Sequence, residues 1–286
     1  MSTENKNGYL LLFRGKEWWN GVSPEELQRM MDRVKDWFDG LAASGKLKAA
    51  QPLAREGALV SGKNGRILAD GPFAESKEVI GGYVLLDVDS LDEAIVIAQS
   101  CPTLEFDTQV EVRPVAEECP MTARAADHAG GPTRRRSGLN TTPILNRKNT
   151  MSTPTQTGYM LIFRGTDWHK GLSPEQMQQV AGQWMAWFNR LTNQGRAVAG
   201  NPLERVGKIV SGKYGRVVAD GPFAESKEAI GGYFLLNVNG LDEAVAIAQE
   251  CPGLPYGATV EVRPVMEQCP LSGEAVPEAQ CAEATA

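Results

Sequence analysis

The chain has 286 residues, 42% hydrophobic and 22% charged, with a formal net charge of −6, the profile of a globular protein of about two domains. Acidic side chains outnumber basic ones by 20 to 13 over residues 1–120 and by 11 to 10 over residues 151–271, which argues against direct nucleic-acid binding by the folded units. No apolar stretch reaches bilayer length and segment 1–7 lacks the apolar core of a signal peptide, so a cytoplasmic chain with no membrane partner is expected.

The predicted elements come in two series, because one sequence is written twice. Adding 150 to a residue number returns the same residue again and again: Tyr9 and Tyr159, Trp37 and Trp187, Glu111 and Glu261. A repeat of this length is a whole domain, not a solenoid element. Each copy opens on a strand, Gly8 to Arg14 and Gly158 to Arg164, short apolar runs bounded by glycine. A long helix follows. Ser23-Pro24-Glu25-Glu26 and Ser173-Pro174-Glu175-Gln176 supply an N-cap serine, a proline at the first helical position and an acid or amide at the third. Leu27, Met30, Met31, Val34, Trp37, Phe38 and Leu41 make one apolar stripe, and Gly45 and Gly195 are its terminators.

A hairpin is predicted over residues 59–69, with Asn64-Gly65 at its tip and Tyr214-Gly215 at the matching place. It feeds Asp70-Gly71-Pro72-Phe73. The next strand, 81–88, alternates Val84, Leu86 and Val88 against Tyr83, Leu85 and Asp87. A short helix from Leu91 to about Cys101 carries Ala94, Ile95 and Ala98 and stops at Pro102. The last strand, 109–115, alternates Val110 and Val112 against Glu111 and Arg113.

This order predicts a ferredoxin-like α+β unit, an antiparallel sheet with both helices on one face. The other face, half-lined by Tyr83 and Leu85, needs a cover. A second copy is the obvious one, so the expected architecture is two units packed sheet to sheet as an intrachain dimeric α+β barrel. The units span 1–120 and 158–271, joined by a disordered linker, 121–157, and followed by a disordered tail, 272–286. Met151-Ser-Thr repeats Met1-Ser-Thr, the mark of a gene fusion. The linker run Arg134-Arg135-Arg136 reads as a solvated segment.

Cys101, Cys119, Cys251 and Cys269 form two repeat pairs with no zinc-type spacing, and Cys281 stands in the tail. Reduced thiols are expected. Walker, dinucleotide, zinc and nucleophile-elbow patterns do not occur, so neither metal nor cofactor is expected.

The block Asp70-Gly-Pro-Phe-Ala-Glu-Ser-Lys-Glu78 recurs unchanged at Asp220–Glu228. It is followed in both copies by Ile-Gly-Gly-Tyr, Leu-Asp-Glu-Ala, Cys-Pro and Val-Glu-Val-Arg-Pro-Val. These motifs resemble the YCII-related family, and within it the subgroup named for Asp-Gly-Pro-Phe, over most of each copy. The resemblance implies a bacterial protein with a dimeric α+β barrel and a cleft between its halves. It also implies a link to transcription initiation through a sigma factor as partner. Some family members pair a histidine with the motif aspartate. Here the two histidines are His128, in the linker, and His169, aligned with Trp19, so no repeated dyad can form.

The candidate catalytic residues are Asp70 and Asp220, strand-end carboxylates aimed by Gly-Pro; burial in a cleft would raise their pKa toward acid–base use. The alternative is an aspartate bonding its own turn. The candidate ligand-binding residues are Arg14, Arg164, Tyr83, Tyr233, Glu111, Glu261, Arg113 and Arg263, all on the predicted bare face or at its edge. Arg14 and Arg164 would clamp an anion or pair with Asp70 or Glu111. Glu111 and Arg113 would line a cleft or pair across the sheet. The tyrosines would line a cleft or fill the interface. The expected function is binding of a small molecule or a protein partner. The alternative is a cofactor-free acid–base isomerase or lyase acting on a small anionic substrate.

Overall fold

The computed structural model describes residues 7–15, 19, 21–70, 79–116, 158–165, 167–221 and 229–266. The linker 121–157, the tail 272–286, residues 71–78 and 222–228 of the two Asp-Gly-Pro-Phe blocks, Cys119, Cys269, Cys281 and His128 lie outside them.

The first unit runs β1 (Tyr9–Arg14), α1 (Pro24–Ala43), β2 (Leu47–Pro52), β3 (Ala58–Ser61), β4 (Ile67–Asp70), β5 (Ile80–Leu86), α2 (Leu91–Gln99) and β6 (Gln109–Pro114). The second repeats it as β7 (Gly158–Arg164), α3 (Pro174–Asn193), β8 (Ala197–Pro202), β9 (Lys208–Ser211), β10 (Val217–Asp220), β11 (Ile230–Asn237), α4 (Leu241–Gln249) and β12 (Thr259–Pro264). The long helices start where their caps require. Ser23 Oγ accepts from the Glu26 amide at 3.2 Å. Ser173 and Gln176 close a complete capping box. Gly45 and Gly195, both at φ +70, turn the chain out at the other end.

Each unit contributes four strands in the order β6-β1-β5-β2 or β12-β7-β11-β8, all antiparallel, with α1 and α2, or α3 and α4, on one face. β2 and β8 are missing from the sequence-based reading, because Leu-Lys-Ala-Ala-Gln-Pro carries little β-branched or aromatic content. The alternation in β5 and β6 is as expected. Val84, Leu86, Val110 and Val112 pack under the helices with Leu41 and Ile97.

The hairpins differ from expectation. β3–β4 does not extend its own sheet; β3 pairs with β12 of the second unit, and β9 of the second unit pairs with β6 of the first. Two six-stranded sheets result, each built from both units: β10-β9-β6-β1-β5-β2 and β4-β3-β12-β7-β11-β8. A hairpin pattern specifies that two strands pair with each other, not which outer edge they join.

Between the sheets lies a third core drawn from both units. Leu10, Leu12, Leu53, Ile80, Tyr83 and Val115 meet Met160, Ile162, Leu203, Ile230 and Tyr233. Fully burying a leucine or isoleucine contributes about 1.5–3 kcal/mol, so this shared core is a large part of what joins the halves. The pseudo-dimeric barrel is therefore closed within one chain. Its seams are stitched by Leu53 bridging Val265 and by Val115 bridging Leu203.

Each hairpin tip docks on the other unit's short helix. Gln99 Nε2 donates to the Gly215 carbonyl at 3.0 Å, and Gln249 Nε2 to that of Gly65 at 3.1 Å. Gly215 sits at φ +64, and a Cβ there would stand 2.7 Å from Gln99 Cα. Gly215→Ala is expected to destabilise the chain by about 1–3 kcal/mol through the left-handed backbone and the blocked docking. Gly171→Ala, with open space around it, should change the unfolding free energy measured in urea by no more than about 0.5 kcal/mol. Equal midpoints for the two variants would refute the latch.

Candidate functional site at the seam

Arg14, Glu111 and Arg113 project from β1 and β6 into the space between the sheets, where all three are buried. Glu111 is shared: Arg14 Nε donates to Oε2 at 2.7 Å and Arg113 Nη1 to Oε1 at 2.9 Å. The rest of the Arg113 fork crosses the seam, with Nε donating to the Glu204 carbonyl at 3.0 Å and Nη2 to the same oxygen. The second unit reciprocates. Arg164 Nε donates to Glu261 Oε2 at 2.6 Å and Arg263 Nη1 to Oε1 at 2.8 Å. Arg263 Nε and Nη2 both reach the Ala54 carbonyl, Nε at 2.7 Å. Ala54 and Glu204 are themselves repeat equivalents, so the two clamps obey the same pseudo-twofold.

Burial opposes the charge on Glu261, yet the cations Arg164 and Arg263 and their hydrogen bonds outweigh it, and the carboxyl titrates below its ordinary value. A carboxylate so held is ionised and fully engaged, a poor proton donor at neutral pH. These residues were expected either to hold a ligand or to pair with one another. The structure brings them together as pairs and gives them backbone partners across the seam, which sequence spacing could not indicate.

Tyr83 and Tyr233 are buried in the inter-sheet core. Burial raises both phenols above their ordinary value; for Tyr83 the neighbouring Tyr233 adds to this, and for Tyr233 the Asn201 contact opposes it. Asn201 Nδ2 donates to Tyr233 Oη at 3.2 Å.

Asp220 stands elsewhere. Its carboxylate lies at the end of the outermost strand β10 with a side-chain exposure of 84%, 2.6 Å from Lys208 Nζ. The hydrogen bond from Lys208 lowers its pKa. Burial and a raised pKa, the conditions for an acid–base role, are thus corrected for this residue, and the physical reason is the hairpin exchange that carries it to a sheet edge. Asp70 ends β4 at the matching position, opposite Ala58. Cys101 and Cys251 are buried free thiols; burial raises both, Cys251 to about 12, so neither is a nucleophile at neutral pH.

A recess of about 180 Å³ opens where the units meet, lined by Gln51 of the first unit and Gly158, Val198, Leu236, Asn237, Val265 and Met266 of the second. Gln51 Oε1 is buried there without a hydrogen-bond partner. The pseudo-equivalent place is lined differently. Lys48 and Asp87 stand where the second unit has Val198 and Asn237, and they pair at 2.6 Å. Lys48 Nζ lies only 3.6 Å from where a Cβ on Gly8, the counterpart of Gly158, would stand. Lys48 and Val198 both occupy the irregular register step where β2 or β8 meets its neighbour, a bulge position that aims the side chain toward the seam. The sequence did carry a signal for this site, in the loss of two opposite charges at paired repeat positions.

The YCII-related domain pattern matches residues 9–119 and again 158–268. An uncharacterized protein of Rhizobium meliloti (strain 1021) is 31% identical over 99 residues, 34% of this chain and 80% of that protein. A solved structure of a heme-binding protein from Thermus thermophilus aligns with a TM-score of 0.41 and 9% identity, covering 92% of this chain and 93% of that one.

Glu261 sets a pH dependence. Its folded-state pKa is depressed, so its stabilisation is present above the unfolded value of about 4.3 and is lost as pH falls through the lower folded value. Glu261→Gln should cost about 3–5 kcal/mol by leaving Arg164 and Arg263 without their counter-ion. It should also flatten the acid limb of a stability-versus-pH curve measured by urea unfolding. An unchanged acid limb would show that the clamp is not the linked group.

Proposed function

This chain belongs to the YCII-related family, matched in both halves, and we propose that it is a binding protein whose ligand site is the recess at the seam. The observation that carries this reading is a recess lined by Val198 and Asn237, where the first unit has the Lys48–Asp87 ion pair, and by Gln51, whose buried amide oxygen has no hydrogen-bond partner. The walls are mostly apolar, with the Gln51 and Asn237 amides as their polar side chains and no charged one, so the fitting ligand is neutral. It presents an N–H or O–H to Gln51 Oε1 and an apolar body to Val198, Leu236 and Val265. The recess is smaller than drug-sized pockets of about 300–1,000 Å³, which restricts it to a fragment-sized molecule.

Binding is favoured over acid–base turnover of an anion for two reasons. The cations named for anion capture already share Glu111 and Glu261, and Asp220 is an exposed, ion-paired carboxylate. The sigma-factor link implied by the sequence resemblance is a separate reading of partner choice. A sigma factor co-purifying with the full chain from its native cells would support it, and its absence from that eluate would count against it.

The test of the recess is to rebuild the first unit's closure in the second. Small neutral primary amides and alcohols, with matched carboxylates as the anionic comparison, are screened by ligand-observed NMR against the wild type and against Val198→Lys/Asn237→Asp. Neutral compounds should bind the wild type and lose saturation transfer with the double variant, while far-UV circular dichroism stays unchanged. Equal binding to both proteins, or a preference for the carboxylates, would overturn the assignment.

A further inference from the structure

The two exchanged hairpins end the sheets in open strands. β10 and β4 each form one end of a sheet, opposite β2 and β8, and each is paired on one side only among the described residues. Every residue of β10 is exposed. Ile67 and Leu68 are 60% and 53% exposed, Val217 and Val218 51% and 41%. Adjacent residues of a strand point to opposite faces, so both faces of each edge expose apolar side chains, beside backbone groups that have no strand partner among the described residues. Protein edges of this kind are ordinarily blunted by lysine, proline or a covering loop.

The residue pattern names the occupant. The edge and its leading residue read Arg216-Val-Val-Ala-Asp220, and the other edge reads Arg66-Ile-Leu-Ala-Asp70. Laid antiparallel on a copy of itself about Val218, the first places each arginine opposite the other copy's aspartate and each Val217 opposite an Ala219. Opposite charges directly across an antiparallel pair are favourable, as are aliphatic pairs. The pattern is therefore self-complementary about a twofold axis, the requirement for an isologous contact. A foreign antiparallel strand would need the same order, a basic residue before and an acidic one after the aliphatic run.

We propose that these edges are self-association surfaces, through which a second copy of this chain continues the six-stranded sheet strand to strand. The present partners of the end residues do not stand in the way. Asp220 pairs with Lys208, and Arg216 lies 5.8 Å from the Tyr214 ring centroid; both contacts are on the surface, where such interactions are weak and readily exchanged. A four-residue strand buries far less than the roughly 1,200–2,000 Å² of a stable interface, so the association is reversible and depends on concentration. Because one chain carries two such edges, growth continues past the dimer.

Sedimentation velocity of the full chain between roughly 10 μM and 1 mM, a range that brackets weak association, tests this. The wild type should shift from monomer to species larger than a dimer. Leu68→Lys or Val218→Lys alone should stop growth at the dimer, and both together should leave a monomer. In the Leu68→Lys background, Arg216→Asp and Asp220→Arg should each abolish dimerisation, since each sets like charges opposite each other, and an equimolar mixture of the two should restore it. Circular dichroism and urea midpoints confirm that each variant is folded. A wild type that stays monomeric throughout would overturn the proposal. So would growth that ignores the edge lysines, or a mixture that behaves like its components.

Discussion

Arg113 and Arg263 each reach out of one unit to grip a backbone carbonyl of the other, while holding a buried glutamate that also binds a second arginine. Charges buried in this way tolerate only one arrangement. A slip of either sheet would strand two cations and a carboxylate in an apolar space, at a cost comparable with a sizeable part of a domain's net stability of about 5–15 kcal/mol. The hairpin exchange adds a second obligation, because each sheet is completed by strands from the other half. Neither half can therefore satisfy its backbone, its charges or its bare aliphatic face alone. The recess and the two open edges are by-products of this mutual dependence: one lies where the halves meet, the others where the exchanged strands end.

Carrying both halves in one chain releases them from identity. In a dimer of identical chains every substitution occurs twice; here each occurs once, and several have been absorbed by local compensation. Ala50 faces Val84 in the first sheet, whereas Gly200 faces Phe234 in the second. A Cβ on Gly200 would stand 2.4 Å from Phe234 Cδ1, so the larger ring required the smaller partner. Trp37 Nε1 donates to Ser100 Oγ at 2.8 Å. Its counterpart Trp187 has no partner for its buried N–H, because Glu250 replaces the serine and turns to Arg190. Arg55 stacks on the Trp19 ring, while Arg205 donates to His169 Nε2 at 2.9 Å. The change from Lys48 and Asp87 to Val198 and Asn237 likewise goes uncompensated, exchanging an ion pair for part of the lining of the recess.

The elements themselves were mostly legible, for local reasons. Serine caps, the proline after them, the apolar stripe of α1 and the glycines that end it all act within a few residues, so their order in the chain carries the information. The two faces of β5 and β6 followed from alternation alone. β2 and β8 were not legible, since their side chains are nondescript and their strand conformation is imposed by pairing with β5 and β11. The candidate site divided in the same way. Glu111 and Arg113 were placed on one face by their spacing, but the carbonyl acceptor of Arg113 lies 91 residues along the chain at Glu204 and that of Arg263 209 residues away at Ala54. Main-chain oxygens carry no residue signature, so nothing in the sequence marked them.

The duplicated sequence, read without coordinates, determined that there are two α+β units, that each has an apolar face without a cover, and that the two faces meet. These are consequences of periodicity and of the need to bury apolar surface, both written in the order of residues. Tertiary structure decided which sheet each hairpin joins, which backbone oxygens the buried arginines find, and where along the seam a recess opens. Those outcomes depend on groups brought together from opposite halves of the chain, where the energy of a contact exists only once both surfaces are already in place.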